Sequence, residues 1–109
     1  MRFLIGNYYV NIGKSAKENW NLLDDSHPND IWFHLEKVSS PYVILESKNT
    51  EAIPHDIIYE CAKLCKSHSK EKTLTSSSII YCSVANIKKA KAVGSVKLIK
   101  PSCTIKVYQ

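Results

Sequence analysis

The residues best suited to chemistry lie in the segment Asp30-Ile31-Trp32-Phe33-His34. On a β-strand, alternate side chains point to opposite faces, so Asp30, Trp32 and His34 would share one face. A carboxylate, an indole and an imidazole in a row can stack an unpaired base and hydrogen-bond its edge or its ribose. Alternatively, Trp32 packs beneath a helix while Asp30 and His34 bond the backbone at the strand ends. The residues alone leave both interpretations open.

A second candidate is the turn formed by Gly13, Lys14 and Ser15, three residues before Glu18. Ser15 and Glu18 have the spacing of a capping box, which predicts a helix beginning after Ser15. A helix N-terminus attracts anions and Lys14 would add a positive charge, so this turn is a candidate phosphate contact. It is not a P-loop, because Tyr8 stands where the first glycine of that loop would be. An ordinary strand-to-helix turn with a solvated lysine is the alternative.

The cysteines and histidines do not complete a catalytic or metal-binding set. Cys61, Cys65 and His68 would share one helix face, but no CxxC pair completes a zinc site, so packing of both thiols in the core is favoured. Asp30 and His34 resemble part of a catalytic triad, yet no serine or cysteine has the sequence context of a nucleophile. Phosphate-loop, dinucleotide-binding and paired-carboxylate motifs are missing. We therefore expect a non-enzymatic protein without a cofactor or a bound metal.

The charge distribution indicates an anionic partner. The 109-residue chain has a formal net charge of +5. Residues 1–54 contain five Lys or Arg and seven Asp or Glu, a net of −2, whereas residues 55–109 contain ten Lys and three Asp or Glu, a net of +7. Nearly all the basic residues are lysines, which suit phosphate contacts better than the reading of bases. A basic half is typical of nucleic-acid-binding domains, although many basic proteins bind no nucleic acid.

Length and hydropathy indicate one domain inside a cell. A chain of 109 residues has room for a single core, and its hydrophobic fraction of 44% is enough to fold it. It has no run of about eighteen apolar residues that could span a membrane, and its apolar start is too short for a signal peptide. The four cysteines lack disulfide spacing. We expect one cytoplasmic domain over residues 1–109, without membrane contact.

The elements that must position these residues follow from periodicity and from turn residues. Helices are predicted from Ser15 to about Leu23 and from Ala52 to Ser69. Strands are predicted over Phe3–Ile12 with a turn at Gly6-Asn7, and over Asp30–Leu35, Tyr42–Glu46, Ser78–Val84, Val96–Ile99 and Thr104–Tyr108. The second and third of these regions form a hairpin. The fold class is therefore α+β, a mainly antiparallel sheet with two helices in one compact domain.

Two elements divide clearly between core and surface. On the strand that carries Trp32, the opposite face consists of Ile31, Phe33 and Leu35, which belong in the core. On the second helix, an apolar stripe opposes a basic face with Tyr59, Lys63, Lys66 and Lys70. That basic face is either a solvated surface or a set of further phosphate contacts, in particular Lys63 and Lys66.

The order of the motifs resembles that of the NFACT-R domain, from about Ile5 to the end of the chain. The resemblance is carried by Ile12-Gly13-Lys14, Lys17-Glu18-Asn19, Asp30-Ile31-Trp32-Phe33-His34, Val43-Ile44-Leu45, Ala62, Ser69, Tyr81 and Asn86-Ile87-Lys88-Lys89. The chain departs from it at Pro41-Tyr42, where family members often have a small residue followed by histidine. It also departs at Ala90–Gly94, where Pro-Lys-Gly is usual. The first departure would alter or weaken binding if that histidine helps to hold a ligand.

The resemblance implies an RNA-binding module of the kind found in ribosome quality-control proteins, which engage large ribosomal subunits and tRNA. We expect the partner to be RNA, either tRNA or ribosomal RNA, in a translation quality-control setting. The expected site residues are Lys14, Asn19, Asp30, Trp32, His34, Lys88, Lys89 and Lys91. Two alternatives stay open, a DNA partner and an adaptor that docks on another protein through the Trp32 face.

Overall fold

The structure of the chain is a computed structural model that describes residues 1–47 and 52–109. Within these residues, the strands and helices follow in the order β1 Arg2–Ile5, β2 Tyr8–Ile12, α1 Ala16–Asp24, β3 Ile31–Leu35, β4 Val43–Leu45, α2 His55–Ser67, β5 Ser76–Ser83, β6 Ile87–Lys89, β7 Val96–Leu98 and β8 Cys103–Tyr108. A short 3₁₀ turn over Val84–Asn86 joins β5 to β6. The predicted α+β class is confirmed. Neither helix is long and apolar enough to cross a membrane.

Six of the strands form one sheet in the order β1-β2-β4-β3-β5-β8, and every neighbouring pair is antiparallel. The predicted β3–β4 hairpin is confirmed, with Trp32 opposite Ile44. Strands β6 and β7 form a separate two-stranded ribbon in which Lys88 lies opposite Lys97. The last two predicted strands therefore belong to different sheets, because β8 pairs with β5 at the sheet edge.

Helix α2 covers one face of the sheet. Phe33 and Leu35 are buried on this face, as predicted, together with inward-facing side chains of β2, β4, β5 and β8. The apolar stripe of α2 packs on them through Ile58, Cys61 and Cys65. Burial of each large aliphatic or aromatic side chain contributes roughly 1.5–3 kcal/mol, so this layer supplies much of the stability.

Helix α1 and the β6–β7 ribbon cover the opposite face. Trp32, Tyr42, Ile44, Cys82 and Ile87 form a second buried cluster there, and partly buried residues of α1, β5, β7 and the 3₁₀ turn pack against it. The sheet is therefore enclosed on both sides, and the strand face that carries Trp32 is part of a core.

The helix ends differ slightly from the predicted ones. Helix α2 begins at His55 with Pro54 as its N-cap, three residues later than predicted, because the Pro54 carbonyl accepts the first helical hydrogen bond, from the Ile58 amide. Helix α1 begins after Ser15, whose hydroxyl accepts from the Glu18 amide at 3.2 Å. The Glu18 carboxylate accepts from the Lys14 amide at 3.1 Å, one residue before the N-cap, so the Ser15 half of the predicted capping box is confirmed and its second bond is shifted by one residue.

Candidate nucleic-acid interface

A groove of about 670 Å³ lies where four segments of the chain meet. These segments are the N-terminus of α1, the turn over residues 39–41 before β4, residues 68–70 directly after α2, and the tip of the ribbon over residues 93–95. His34 of β3 also lines the groove. The polar and charged side chains that line it are Lys14, Ser15, Asn19, His34, Ser39, Ser40, His68, Ser69, Lys70 and Ser95. Three predicted site residues, Lys14, Asn19 and His34, are therefore brought together.

The start of α1 is fixed against the start of β4. Asn19 is 6% exposed, and its side-chain oxygen accepts from the Tyr42 amide at 3.1 Å. The Gly13 amide donates to the Tyr42 carbonyl at 3.0 Å. A Cβ at Gly13 would lie 2.1 Å from the Asn19 oxygen, so glycine is needed for this close approach. Asn19 thus positions the helix and its side-chain oxygen is already used, while Lys14 on the same turn is exposed.

The tip of the ribbon is seated on α1. The Tyr42 hydroxyl donates to the Gly94 carbonyl at 2.5 Å, and the Trp20 indole donates to the Ser95 carbonyl at 3.1 Å. Burial raises the pKa of Tyr42 to about 12, which keeps this hydroxyl protonated as a donor. Gly94 has a φ of 86°, and a Cβ there would lie 2.6 Å from the Cβ of Ala16. These contacts hold the wall formed by residues 93–95 in place.

The imidazole of His34 has a fixed orientation. Its Nδ1 lies 2.6 Å from the Leu35 carbonyl oxygen, which can only accept, so Nδ1 carries a hydrogen. The ring stacks on Trp32 with centroids 5.4 Å apart, and meets Tyr42 edge-on at 5.8 Å. Burial lowers the pKa of His34 below its usual value of 6.5, and the bond to Leu35 opposes this shift. His34 is therefore neutral at pH 7, with Nε2 left as an acceptor.

Trp32 cannot stack a base in this fold. Its side chain is 1% exposed in the cluster beneath α1 and the ribbon, so the stacking interpretation is wrong and the packing alternative is confirmed. The strand pattern predicted an exposed indole because Trp32 shares its face with the polar residues Asp30 and His34. The elements that cover Trp32 come from distant parts of the chain, so the pattern does not show them. Its Nε1 has no hydrogen-bond partner within the part of the chain that the structure describes.

Asp30 is also occupied by the backbone. It is 5% exposed, and its carboxylate accepts from the amides of His27 at 2.9 Å and Ser47 at 3.0 Å. It borders a second polar cavity of about 430 Å³ that also includes Arg2 and Glu46. The predicted row of Asp30, Trp32 and His34 is therefore divided, with one member in each cavity and one in the core.

The three predicted lysines of the ribbon are exposed but do not line the groove. Lys89 lies 2.6 Å from the Asp24 carboxylate and 4.9 Å from the centre of the Trp20 ring, so its charge is partly neutralised. Lys91 lies in the connection whose following residues, 93–95, form a groove wall. Lys88 lies across the ribbon from Lys97.

Lys66 is not part of an exposed basic face. It is 3% exposed, and its ammonium donates to the carbonyls of Glu71 at 2.7 Å, Leu74 at 2.6 Å and Lys72 at 3.3 Å. The prediction of Lys66 as a phosphate contact is therefore wrong, because the loop after α2 folds back over it. Lys63, on the same helix, is exposed as predicted.

Sequence reasoning missed several parts of the groove. It assigned Lys70 to a helix face, but α2 ends at Ser67 and Lys70 lies in the loop that lines the groove. It noted Pro41-Tyr42 and Ala90–Gly94 only as departures from the family pattern, and it assigned no ligand contact to residues 39–41 or 93–95. Those departures mark the positions but not their contacts, because these segments become neighbours only through the tertiary fold.

The cysteines of α2 belong to the core rather than to a metal site. Cys61 and Cys65 are fully buried, and burial raises the pKa of both thiols to about 12, which disfavours the thiolate that metals require. His68 packs against Phe3 with ring centroids 5.9 Å apart. Among residues 1–47 and 52–109, no group of three or more His, Cys, Asp or Glu is arranged to hold a metal ion.

Comparisons with known proteins agree with this architecture. Residues 3–100 match the family described as NFACT protein RNA binding domain. Coiled-coil domain-containing protein 25 of Bos taurus is 34% identical over 86 residues, which cover 75% of this chain and 41% of that protein. The Dictyostelium discoideum homolog is 35% identical, with coverage of 75% and 42%. The chain therefore spans about two fifths of the length of these relatives.

A solved structure shares the fold. The C-terminal part of the fibronectin/fibrinogen-binding protein from Streptococcus suis aligns with a TM-score of 0.88, over 98% of this chain and 44% of that chain. The sequence identity is 18%, so this likeness concerns the fold alone.

Proposed function

This chain belongs to the family of NFACT protein RNA binding domains, and on that premise we propose that it is a non-catalytic module that binds RNA through the groove. The observation that carries the proposal is the family match over residues 3–100, nearly the whole chain. Within the proposal, the partner is tRNA or ribosomal RNA and the setting is translation quality control in the cytoplasm.

The groove supports this proposal by its shape and charge. Its volume of about 670 Å³ is within the range of small-ligand pockets, roughly 300–1,000 Å³, and admits a nucleotide. Lys14 and Lys70 line it, and the N-terminus of α1 opens onto it. Lysines and helix N-termini both attract phosphates. Apolar side chains such as Pro41 and Val93 give a sugar or base a surface to pack on.

The ribbon offers a second anion contact. Lys88 and Lys97 lie directly opposite each other, and like charges in this position destabilise a pair of strands. Neither has an ion-pair partner among the residues described. A phosphate placed between them would relieve the repulsion, so we assign this pair, with Lys91, to the path of the RNA backbone beyond the groove.

Docking of a protein through the Trp32 face is not retained as a second function. That face is buried beneath α1 and the ribbon, so it offers no surface to a partner. DNA stays an alternative ligand, because lysine–phosphate contacts do not distinguish the two nucleic acids.

The test is fluorescence anisotropy with labelled single-stranded RNA, tRNA and duplex DNA at several salt concentrations. The variant Lys14→Gln/Lys70→Gln removes two charges from the groove. The control Lys63→Gln/Lys106→Gln removes two exposed charges that do not line it. Each lost phosphate contact lowers the salt slope for single-stranded RNA by about 0.7, so the groove variant should lower it by about 1.4.

The outcomes are distinct. The control variant should bind RNA nearly as the unmodified protein does. Equal losses in the two variants would mean that binding depends on overall charge and that the groove assignment is wrong. Absence of RNA binding by the unmodified protein at low salt would reject the function itself.

A further inference from the structure

We propose that His34 makes the groove selective for RNA over DNA, by accepting a hydrogen bond at Nε2 from a ribose 2′-hydroxyl. The proposal rests on the proposed function and adds the chemical group that is recognised. It is carried by the tautomer of His34, by the fixed orientation of its ring, and by the cations that share the groove with it.

The tautomer follows from one contact. A carbonyl oxygen has no hydrogen to donate, so the 2.6 Å contact between Nδ1 and the Leu35 carbonyl requires Nδ1–H. In a neutral imidazole the other nitrogen is then an acceptor. Within the described chain, Nε2 has no hydrogen-bond partner, while the residue itself lines the groove. His34 therefore offers one unused lone pair to whatever enters.

The lone pair is held in place. Trp32 stacks on the imidazole with an interplanar angle of 13°, and Tyr42 meets it at 77°. Tyr42 is itself fixed through its hydroxyl to the Gly94 carbonyl. The His34 ring is held on two sides and bonded at Nδ1, so no entropy is lost in ordering it when a ligand binds. A single hydrogen bond to Nε2 can therefore distinguish a ligand that has a donor from one that lacks it. The buried Trp32 thus serves the site by positioning His34.

The groove combines a neutral hydrogen-bond acceptor with two lysines, and this combination indicates which ligand groups it binds. Phosphate oxygens carry no hydrogen at pH 7, so they suit Lys14 and Lys70 but not a neutral acceptor. In RNA the 2′-hydroxyl lies next to the 3′-phosphate on the same sugar. A neutral acceptor that shares a groove with two lysines therefore matches one ribose-phosphate unit. The 2′-hydroxyl is also the group by which proteins distinguish RNA from DNA.

The titration of His34 is consistent with this role. The titratable groups that line the groove with it are the Met1 amino group, Lys14, His68 and Lys70, and Tyr42 contacts the His34 ring from the core. Burial lowers the pKa of His34, so the acceptor form persists at neutral pH. Protonation at acid pH would convert Nε2 into a donor, which favours phosphate in both nucleic acids and removes the selectivity.

The test compares four labelled oligomers of one sequence: RNA, DNA, 2′-O-methyl RNA and 2′-fluoro RNA. The last two keep the sugar pucker of RNA but have no 2′-hydroxyl hydrogen to donate. Unmodified protein should bind RNA about three- to tenfold more tightly than each of the others, which is the effect of one neutral hydrogen bond. In His34→Phe, which keeps a ring against Trp32, this ratio should fall towards one. His55→Phe, at the exposed start of α2, should keep the full ratio.

Three results would overturn the proposal: equal binding of RNA and DNA, full-strength binding of 2′-O-methyl RNA, or a preference that persists in His34→Phe. If His34→Phe does not fold, the unmodified protein decides the matter, because its preference over DNA must be absent when 2′-O-methyl RNA is used in place of RNA, and its preference for RNA must weaken once the pH falls below the lowered pKa of His34. Failure of the proposed function looks different, since none of the four oligomers would then bind, and the selectivity proposal would fall with it.

Discussion

Replacement of Lys66 by methionine keeps a side chain of similar length and removes the buried ammonium group. That ammonium joins the end of α2 to the loop that follows, through the carbonyls of Glu71, Lys72 and Leu74. The loop begins near Lys70, which lines the groove. The substitution therefore tests whether one buried charge holds the loop in place.

The magnitude follows from the three distances. A hydrogen bond to a charged group contributes about 1.5–3 kcal/mol, and the contacts at 2.6 and 2.7 Å should each approach this value. The contact at 3.3 Å should add little. Two opposing effects reduce the sum, because methionine has no desolvation cost and water can reach carbonyls of the exposed loop. We expect a net loss of about 2–4 kcal/mol in the free energy of unfolding.

Urea denaturation measures this loss directly. The matched control is Lys63→Met on the same helix, where an exposed ammonium lies 3.4 Å from Glu60. Exposed pairs of this kind contribute about 1 kcal/mol at most, so the control should remain close to the unmodified protein. If Lys66→Met were as stable as Lys63→Met and instead lowered the salt slope of RNA binding, Lys66 would be a phosphate contact and the structural role would be refuted.

Two further predictions concern the glycines and the pH dependence of stability. Gly94→Ala should cost about 2–4 kcal/mol in urea denaturation, because its Cβ would lie 2.6 Å from the Cβ of Ala16 at a φ of 86°. Gly6→Ala, with a φ of 56° and Ile57 at 3.3 Å, should cost about 1 kcal/mol, and equal losses would contradict the close packing of Gly94. The pKa of His34 in the folded protein lies below 6.5, so below that pH the unfolded chain binds more protons at this residue than the folded protein does. The free energy of unfolding should therefore fall as the pH is lowered past 6.5. Urea midpoints at about pH 7.5 and about pH 5 measure this loss, and a loss equally large in His34→Phe would assign it to other groups.

Features set by residues close together in the chain could be predicted. The helix start predicted at Ser15 and Glu18 depends on residues three apart, and the bond from the Glu18 amide to the Ser15 hydroxyl forms as expected. The alternation from Ile31 to Leu35 correctly placed Phe33 and Leu35 in the core. Both features follow from the geometry of a helix turn or a strand, which does not depend on the rest of the fold.

Features set by distant segments could not be predicted in the same way. The burial of Trp32 depends on α1 and on a ribbon that begins more than fifty residues later, at Ile87. Lys66 falls on the basic face of the second helix by its position in the sequence. It is buried because the loop over residues 71–74 folds back over it. In both cases polar neighbours in the sequence suggested an exposed position, whereas the folded chain buries the residue.

The groove has a consequence for how binding and folding are linked. Its walls come from residues near 13, 40, 69 and 94, so no short stretch of the chain contains the site. The site therefore exists only in the cooperatively folded state, and a ligand that occupies it stabilises the whole domain by mass action. Unfolding of this domain therefore releases bound RNA, and bound RNA opposes unfolding. A substitution far from the groove that destabilises the fold lowers the apparent affinity for RNA, because it lowers the fraction of protein that is folded.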